Sequence, residues 1–211
     1  MAHSPAVGGS TQGSVEGPTV VLLPVKAFDQ AKARLAAMLD PTARAALARE
    51  LADRVVDAAA PFPVAVVCDD NHVAAWARAR GAEVVWRPGR GLNGAVEDGV
   101  AHLGEGGFSR VVVAHADLPL VDSFDEITSV PMIVLAPDRH EDGTNVAVVP
   151  PAAGFRFHYG PGSFDRHRAE AARLGLGPTI VRSARLGWDV DTPADLELPE
   201  HPLVAPLRAL R

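Results

Sequence analysis

One cysteine, two lysines and no long hydrophobic run are the scarcities of this 211-residue chain. Each excludes something. Cys68 alone forms neither an intramolecular disulfide nor a cysteine-cluster metal site. No apolar run reaches the roughly 18 residues needed to span a bilayer. The first residues lack the basic start and apolar stretch of a secretory signal. The expected setting is therefore the cytoplasm, without a membrane partner. Basic residues number 20 against 26 acidic ones, for a net charge of −6. That is not the basic excess of a nucleic-acid binder, so no nucleic acid is expected, although small anions respond to local charge. Gly and Pro, at 19 and 18 residues, do not mark a low-complexity chain, and 47% hydrophobic residues suffice for a sizeable core.

The only lysines, Lys26 and Lys32, lie six residues apart. Codon drift in a GC-rich genome explains why arginine dominates, but not this spacing. Lysine is a compact point charge on a flexible stem, which arginine does not replace everywhere.

Residues 1–17 are small, polar and Gly-rich and read as a disordered leader, with a single domain over 18–211. Continuous apolar runs predict strands over 19–25, 64–68, 83–86, 110–114, 131–136, 145–149 and 179–181. Helices are expected over 41–59, 71–80, 93–103 and 163–174. Asp40 would cap the first of these, ahead of Pro41. Apolar strands alternating with amphipathic helices give an α/β fold, a mostly parallel sheet with helices on both faces. Ligands of such sheets sit outside the carboxyl ends of the strands.

Five segments fall there. Lys26, Lys32 and Arg34 follow the first strand, without a GxGxxG or GxxxxGK[ST] pattern. They suit a triphosphate through charge-assisted hydrogen bonds, and equally a solvated basic helix face. Asp117 in HADLPL suits a divalent cation or a loop cap. Asp189 and Asp191, two apart, project to one side of an extended segment and suit Mg²⁺; Asp191 also reads as a helix N-cap before Pro193. Asp195 is expected to face elsewhere. Gly143-Thr144-Asn145 offers amides and a hydroxyl to an anion, or forms an ordinary turn. Gly160 and Gly162 allow close approach of the backbone, and Ser163 reads as an N-cap whose helix amides attract an anion. His167 is expected near that anion, or as a plain core imidazole. Asn93, opening a helix after a Gly-rich turn, is a candidate for the nucleoside.

Together, LPVKxFxxAKxRL, DLPL, PDRxxxGTN, FxYGPGSFxRH and DVDTPADL resemble the CofC/FbiD guanylyltransferases of coenzyme F420 biosynthesis, from about Val20 to Leu196. The resemblance implies a nucleotidyltransferase-A-like fold, that of nucleotide-diphospho-sugar transferases. It implies GMP transfer from GTP to phosphoenolpyruvate, releasing pyrophosphate, or to 2-phospho-L-lactate or 3-phosphoglycerate. The product would pass to the next enzyme of F420 biosynthesis. By position, Asp117, Asp189 and Asp191 would be the Mg²⁺ ligands and the catalytic residues. Thr144, Gly160 and Ser163 would bind the acceptor, and Lys26, Lys32, Arg34 and Asn93 the nucleotide. One departure stands out: many relatives carry glycines where this chain has His140-Glu141-Asp142, adding negative charge beside an anionic acceptor. A metal-dependent phosphohydrolase and a non-catalytic GTP-binding protein are the competing expectations.

Overall fold

A computed structural model describes residues 17–130 and 132–197. Apart from Gly17, the expected leader lies outside the described residues. Seven strands form one sheet, in the order β3-β2-β1-β4-β6-β5-β7. They are β1 (Thr19–Pro24), β2 (Val64–Cys68), β3 (Glu83–Trp86), β4 (Arg110–Ala114), β5 (Val134–Pro137), β6 (Thr144–Val149) and β7 (Thr179–Ile180). The helices are α1 (Pro41–Ala58), α2 (Asn71–Ala79), α3 (Gly91–Glu105), α4 (Asp125–Thr128), α5 (Ser163–Arg173) and α6 (Ala184–Gly187).

The central strands are apolar throughout because both faces are covered. Val21, Leu23, Val66 and Val112 pack with α1 and α2 on one face. Val20, Leu22, Ala65, Val111 and Val113 pack with α3 and α5 on the other. A smaller apolar cluster ties Leu35 and α1 residues Leu47 and Leu51 to Leu120, Val190 and Leu196. It anchors the segment after β1 and the closing segment of the described chain to one another. As expected, Asp40 caps α1, its carboxylate accepting from Ala43 N–H at 2.8 Å. Asp70 caps α2 in the same way.

Four of the six strand pairs are parallel, and β6 runs antiparallel to both neighbours. The link between β5 and β6 is too short for a crossover, so the chain must turn back. This reversal brings Thr144, at the start of β6, to the sheet edge where β4 ends. The strand expected over 131–136 is displaced to Val134–Pro137, with a register shift at Pro137. Pro131 lies outside the described residues.

Candidate functional site

A cleft of about 820 Å³ opens beyond the carboxyl ends of β1, β2 and β4. Lys26, Lys32, Arg87, His115, Asp117 and Asp191 are among its walls, with Cys68 and Leu92 on the β2–α3 side. Lys26 directly follows β1 and is exposed. Lys32 sits in the left-handed region at φ 54°, ahead of a single 3₁₀ turn over Ala33–Leu35. Leu35 is fully buried, which anchors that turn.

Lys32 is the hub. Its Nζ lies 2.5 Å from Asp117 Oδ2 and 3.4 Å from Asp191 Oδ1. Burial disfavours its ammonium, but the two carboxylates outweigh burial and raise its pKa. Burial likewise opposes the Asp117 charge, and Lys32 chiefly overcomes it, holding that carboxyl below its usual range. Arg34, largely exposed, approaches Asp191 Oδ2 at 3.6 Å. The cations expected on phosphate oxygens thus lie on carboxylates: Lys32 on Asp117 and Asp191, Arg34 on Asp191.

Asp189 is different. Burial first, then the charges of Asp117 and Asp191, push its carboxyl up, against a hydrogen bond from Asn145 Nδ2 at 3.4 Å. Among the described residues, no three acidic, His or Cys side chains form a ready-made metal site. The donor chemistry nevertheless suits a hard cation. Asp117 Oδ1 is buried without a hydrogen-bond partner, Asp189 has no ion pair among the described residues, and all the donors are oxygens.

The closing segment explains how the aspartates are held. The N-cap before Pro193 is Thr192, not Asp191. The Asp195 carboxylate accepts from the Asp191 and Thr192 amides at 2.8 and 2.5 Å. Asp195 is buried and ion-paired with Arg139. It is therefore a positioning group, where the sequence suggested one facing away. Its signal was the Thr192-x-x-Asp195 spacing of a capping box.

Thr144, Gly160 and Ser163 are brought together. Thr144 N–H donates to Ser163 Oγ and Ser163 N–H to Gly160 O, both at 3.0 Å. Ser163 is not the N-cap of α5: Gly162, at φ 70°, takes that position. Nor are the first amides of α5 free for an anion. Gly162 N–H donates to Asp142 Oδ1 at 3.1 Å and Phe164 N–H to Asp142 O at 3.0 Å. The departure at 140–142 thus supplies its own anion to the helix. Asp138 folds this loop, its carboxylate accepting from the amides of His140, Asp142 and Gly143. A Cβ on Gly143 would lie 2.7 Å from Asp138 Oδ2, so a side chain there would displace the carboxylate that folds the loop.

The Asn93 side-chain amide, the candidate for the nucleoside, is engaged by the backbone of Tyr159. Oδ1 accepts from Tyr159 N–H at 2.7 Å, and Nδ2 reaches Tyr159 O at 3.5 Å. It belongs to a wider device. Residues 155–160 form an extended strap with Phe155, Phe157 and Tyr159 buried and Arg156 exposed. Its successive amides are claimed alternately by α5 and α3. Arg156 N–H goes to Glu170, Phe157 N–H to Glu97, His158 N–H to His167, and Tyr159 N–H to Asn93. Extended backbone alternates its amides, so side chains from two flanking helices satisfy those of residues 156–159. Two buried groups beside the strap lack partners, Tyr159 Oη and His115 Nε2, whose rings lie 5.0 Å apart.

The profile of the family described as "Guanylyl transferase CofC like" matches residues 19–201. A phosphoenolpyruvate guanylyltransferase of Sphaerobacter thermophilus is 38% identical over 189 residues, covering 85% of this chain and 91% of that protein. A 2-phospho-L-lactate guanylyltransferase of Methanothermobacter thermautotrophicus is 32% identical, covering 84% and 82%. A solved structure from Desulfovibrio desulfuricans G20, assigned as a nucleotide-diphospho-sugar transferase, superposes with a TM-score of 0.73 at 17% identity, covering 91% of this chain and 96% of that one. At that identity the structural likeness speaks for the fold.

Proposed function

The chain belongs to the CofC-like guanylyltransferase family, and from that premise we propose that it transfers GMP from GTP to phosphoenolpyruvate. The product would be enolpyruvoyl-diphospho-guanosine, with pyrophosphate released, as a step of coenzyme F420 biosynthesis in the cytoplasm. In this reading residues 18–211 are the transferase domain. The observation that carries the site assignment is Asp117: one carboxylate oxygen holds Lys32 and the other is buried without a partner, at the wall of the cleft.

An acceptor phosphate oxygen attacks the α-phosphorus of GTP, a new P–O bond forms, and the α–β bridging P–O bond breaks. The acceptor phosphate is already an anion, so no covalent enzyme intermediate is required. The difficulty is repulsion between two polyanions, and the remedy is charge placement and alignment. Lys26, exposed in the cleft, and Arg34, exposed beside Asp191, are suited to the β- and γ-phosphates and to the charge gathering on pyrophosphate. Lys32 keeps Asp117 ionised and pairs with Asp191. Thr144, Gly160 and Ser163 receive the acceptor. Asp117, Asp189 and Asp191 would hold Mg²⁺, which when bound neutralises phosphate charge and favours in-line attack.

Phosphoenolpyruvate is preferred over 2-phospho-L-lactate because the relative of 38% identity bears the first name and the relative of 32% the second. The test is mass spectrometry of the product from GTP and an equimolar mixture of phosphoenolpyruvate, 2-phospho-L-lactate and 3-phosphoglycerate, with pyrophosphate followed in parallel. Release of inorganic phosphate alone would indicate a phosphohydrolase. GTP binding without turnover would indicate a sensor.

A further inference from the structure

We propose that His167 is a positioning residue that sets the hydrogen-bond polarity of the acceptor subsite, presenting the hydroxyls of Thr144 and Ser163 as donors to an anion. The inference rests on the reading above that Thr144, Gly160 and Ser163 receive the phosphorylated acid. His167 is fully buried in α5. Its Nε2 lies 2.8 Å from the amide nitrogen of His158. A backbone amide only donates, so Nε2 must offer its lone pair. The neutral ring therefore carries its proton on Nδ1, 3.0 Å from Thr144 Oγ1, and donates it there.

The consequence passes outward. Thr144 Oγ1 accepts from His167, so its own proton is left for another partner. Ser163 Oγ accepts from Thr144 N–H, so its proton is left as well. Two buried hydroxyls that each accept one hydrogen bond from within and keep a proton to donate suit a carboxylate or phosphate. The opposite tautomer would set an Nε2–H against the His158 amide and turn the Thr144 hydroxyl inward. Through His158 the same ring fixes the strap two residues before Gly160.

The ring stays neutral at working pH. Burial first, then His158, His115 and Arg166, lower its pKa to about 3, while Glu170 alone pulls the other way. The tautomer is thus set by geometry and is insensitive to ordinary changes of pH.

Two variants separate the two ends of the ring. His167→Asn places an amide donor near the Nδ1 position and gives up the acceptor for the strap. His167→Gln can place an amide oxygen near Nε2 and gives up the donor to Thr144. Each should raise KM for phosphoenolpyruvate by about 10-fold or more, the scale of one hydrogen bond to a charged ligand. KM for GTP should move less than about 2-fold. Equal shifts in both KM values, or a lowered melting temperature with both KM values unchanged, overturn the positioning role. Nitrogen-15 NMR of the unaltered protein gives a second test that needs no variant to fold. It should show the Nδ1–H tautomer without titration between about pH 8 and pH 5; an Nε2–H tautomer overturns the proposal. If the unaltered protein transfers GMP to none of the three acids, the functional reading falls first and the acceptor role of His167 with it.

Discussion

Asp189 is half-buried, and desolvation together with the charges of Asp117 and Asp191 disfavours its ionised form. Replacing it with Asn removes the charge and preserves the shape. We expect Asp189→Asn to lower kcat by at least about 100-fold if it serves the reacting phosphates, while stability in the absence of ligand rises by roughly 0.5–2 kcal/mol. Steady-state kinetics beside thermal unfolding check both halves. His167 carries a pH signature on the acid side. An unfolded His protonates near its ordinary value of 6.5, whereas the buried ring waits until about 3. Between those values the unfolded chain binds the extra proton, so stability falls as pH drops from 6.5 toward 3. Urea unfolding of the native protein and of His167→Gln should show a steeper decline in the native protein over that window. At this scale the sequence singled out candidate residues but not what they touch. Two lysines among so many arginines stood out, but Lys32 meets Asp117 across 85 positions and Asp191 across 159. Pairing over such distances leaves no local trace.

Among the elements, the turn over Pro193–Leu196 has a role larger than its length. Asp195 satisfies two amides and the Thr192 hydroxyl, and pairs with Arg139. Asp195→Ala would leave Arg139 without its partner and those amides without acceptors. The expected cost is about 3–5 kcal/mol, that of breaking a buried pair, and it would free Asp191 as well. Chemical denaturation measures the first effect, and a loss of transfer in protein that is still folded measures the second. Strands β2, β3 and β4 were readable to the residue because each is a short apolar run bounded by turn residues. The strap at 155–160 was not readable as an element. Its apolar alternation is present in Phe155, Phe157 and Tyr159, yet its amides turn to side chains rather than to a neighbouring strand. The helix caps divide in the same way. Asp40 and Asp70 follow local rules, while Ser163 yields the cap to Gly162 because its hydroxyl is engaged by Thr144 from β6.

For the molecule as a whole, one sheet is the frame on which the loops and helix ends of the proposed site are hung. Parallel strands deliver Lys26 and Asp117 at their carboxyl ends, and the reversed strand β6 delivers Thr144 at its start. Alternating strands and helices made that architecture legible. The direction of β6 followed from the short link after β5, which the sequence offered either as an anion-binding loop or as an ordinary hairpin turn. Since GTP binds the folded chain alone in this account, GTP at about 100 times its dissociation constant should add about 2.7 kcal/mol. Thermal scans should then shift upward by roughly 5–10 °C, and an unchanged midpoint would argue against a nucleotide site. The scarcity of lysine has a practical corollary. Lys32 is only 8% exposed and is clamped as an ammonium by two carboxylates, whereas Lys26 stands open to solvent at the cleft. An amine-selective reagent therefore has a single accessible side-chain target, already in the cleft proposed for the nucleotide, and protection of that one amine would serve as a built-in footprint of occupancy.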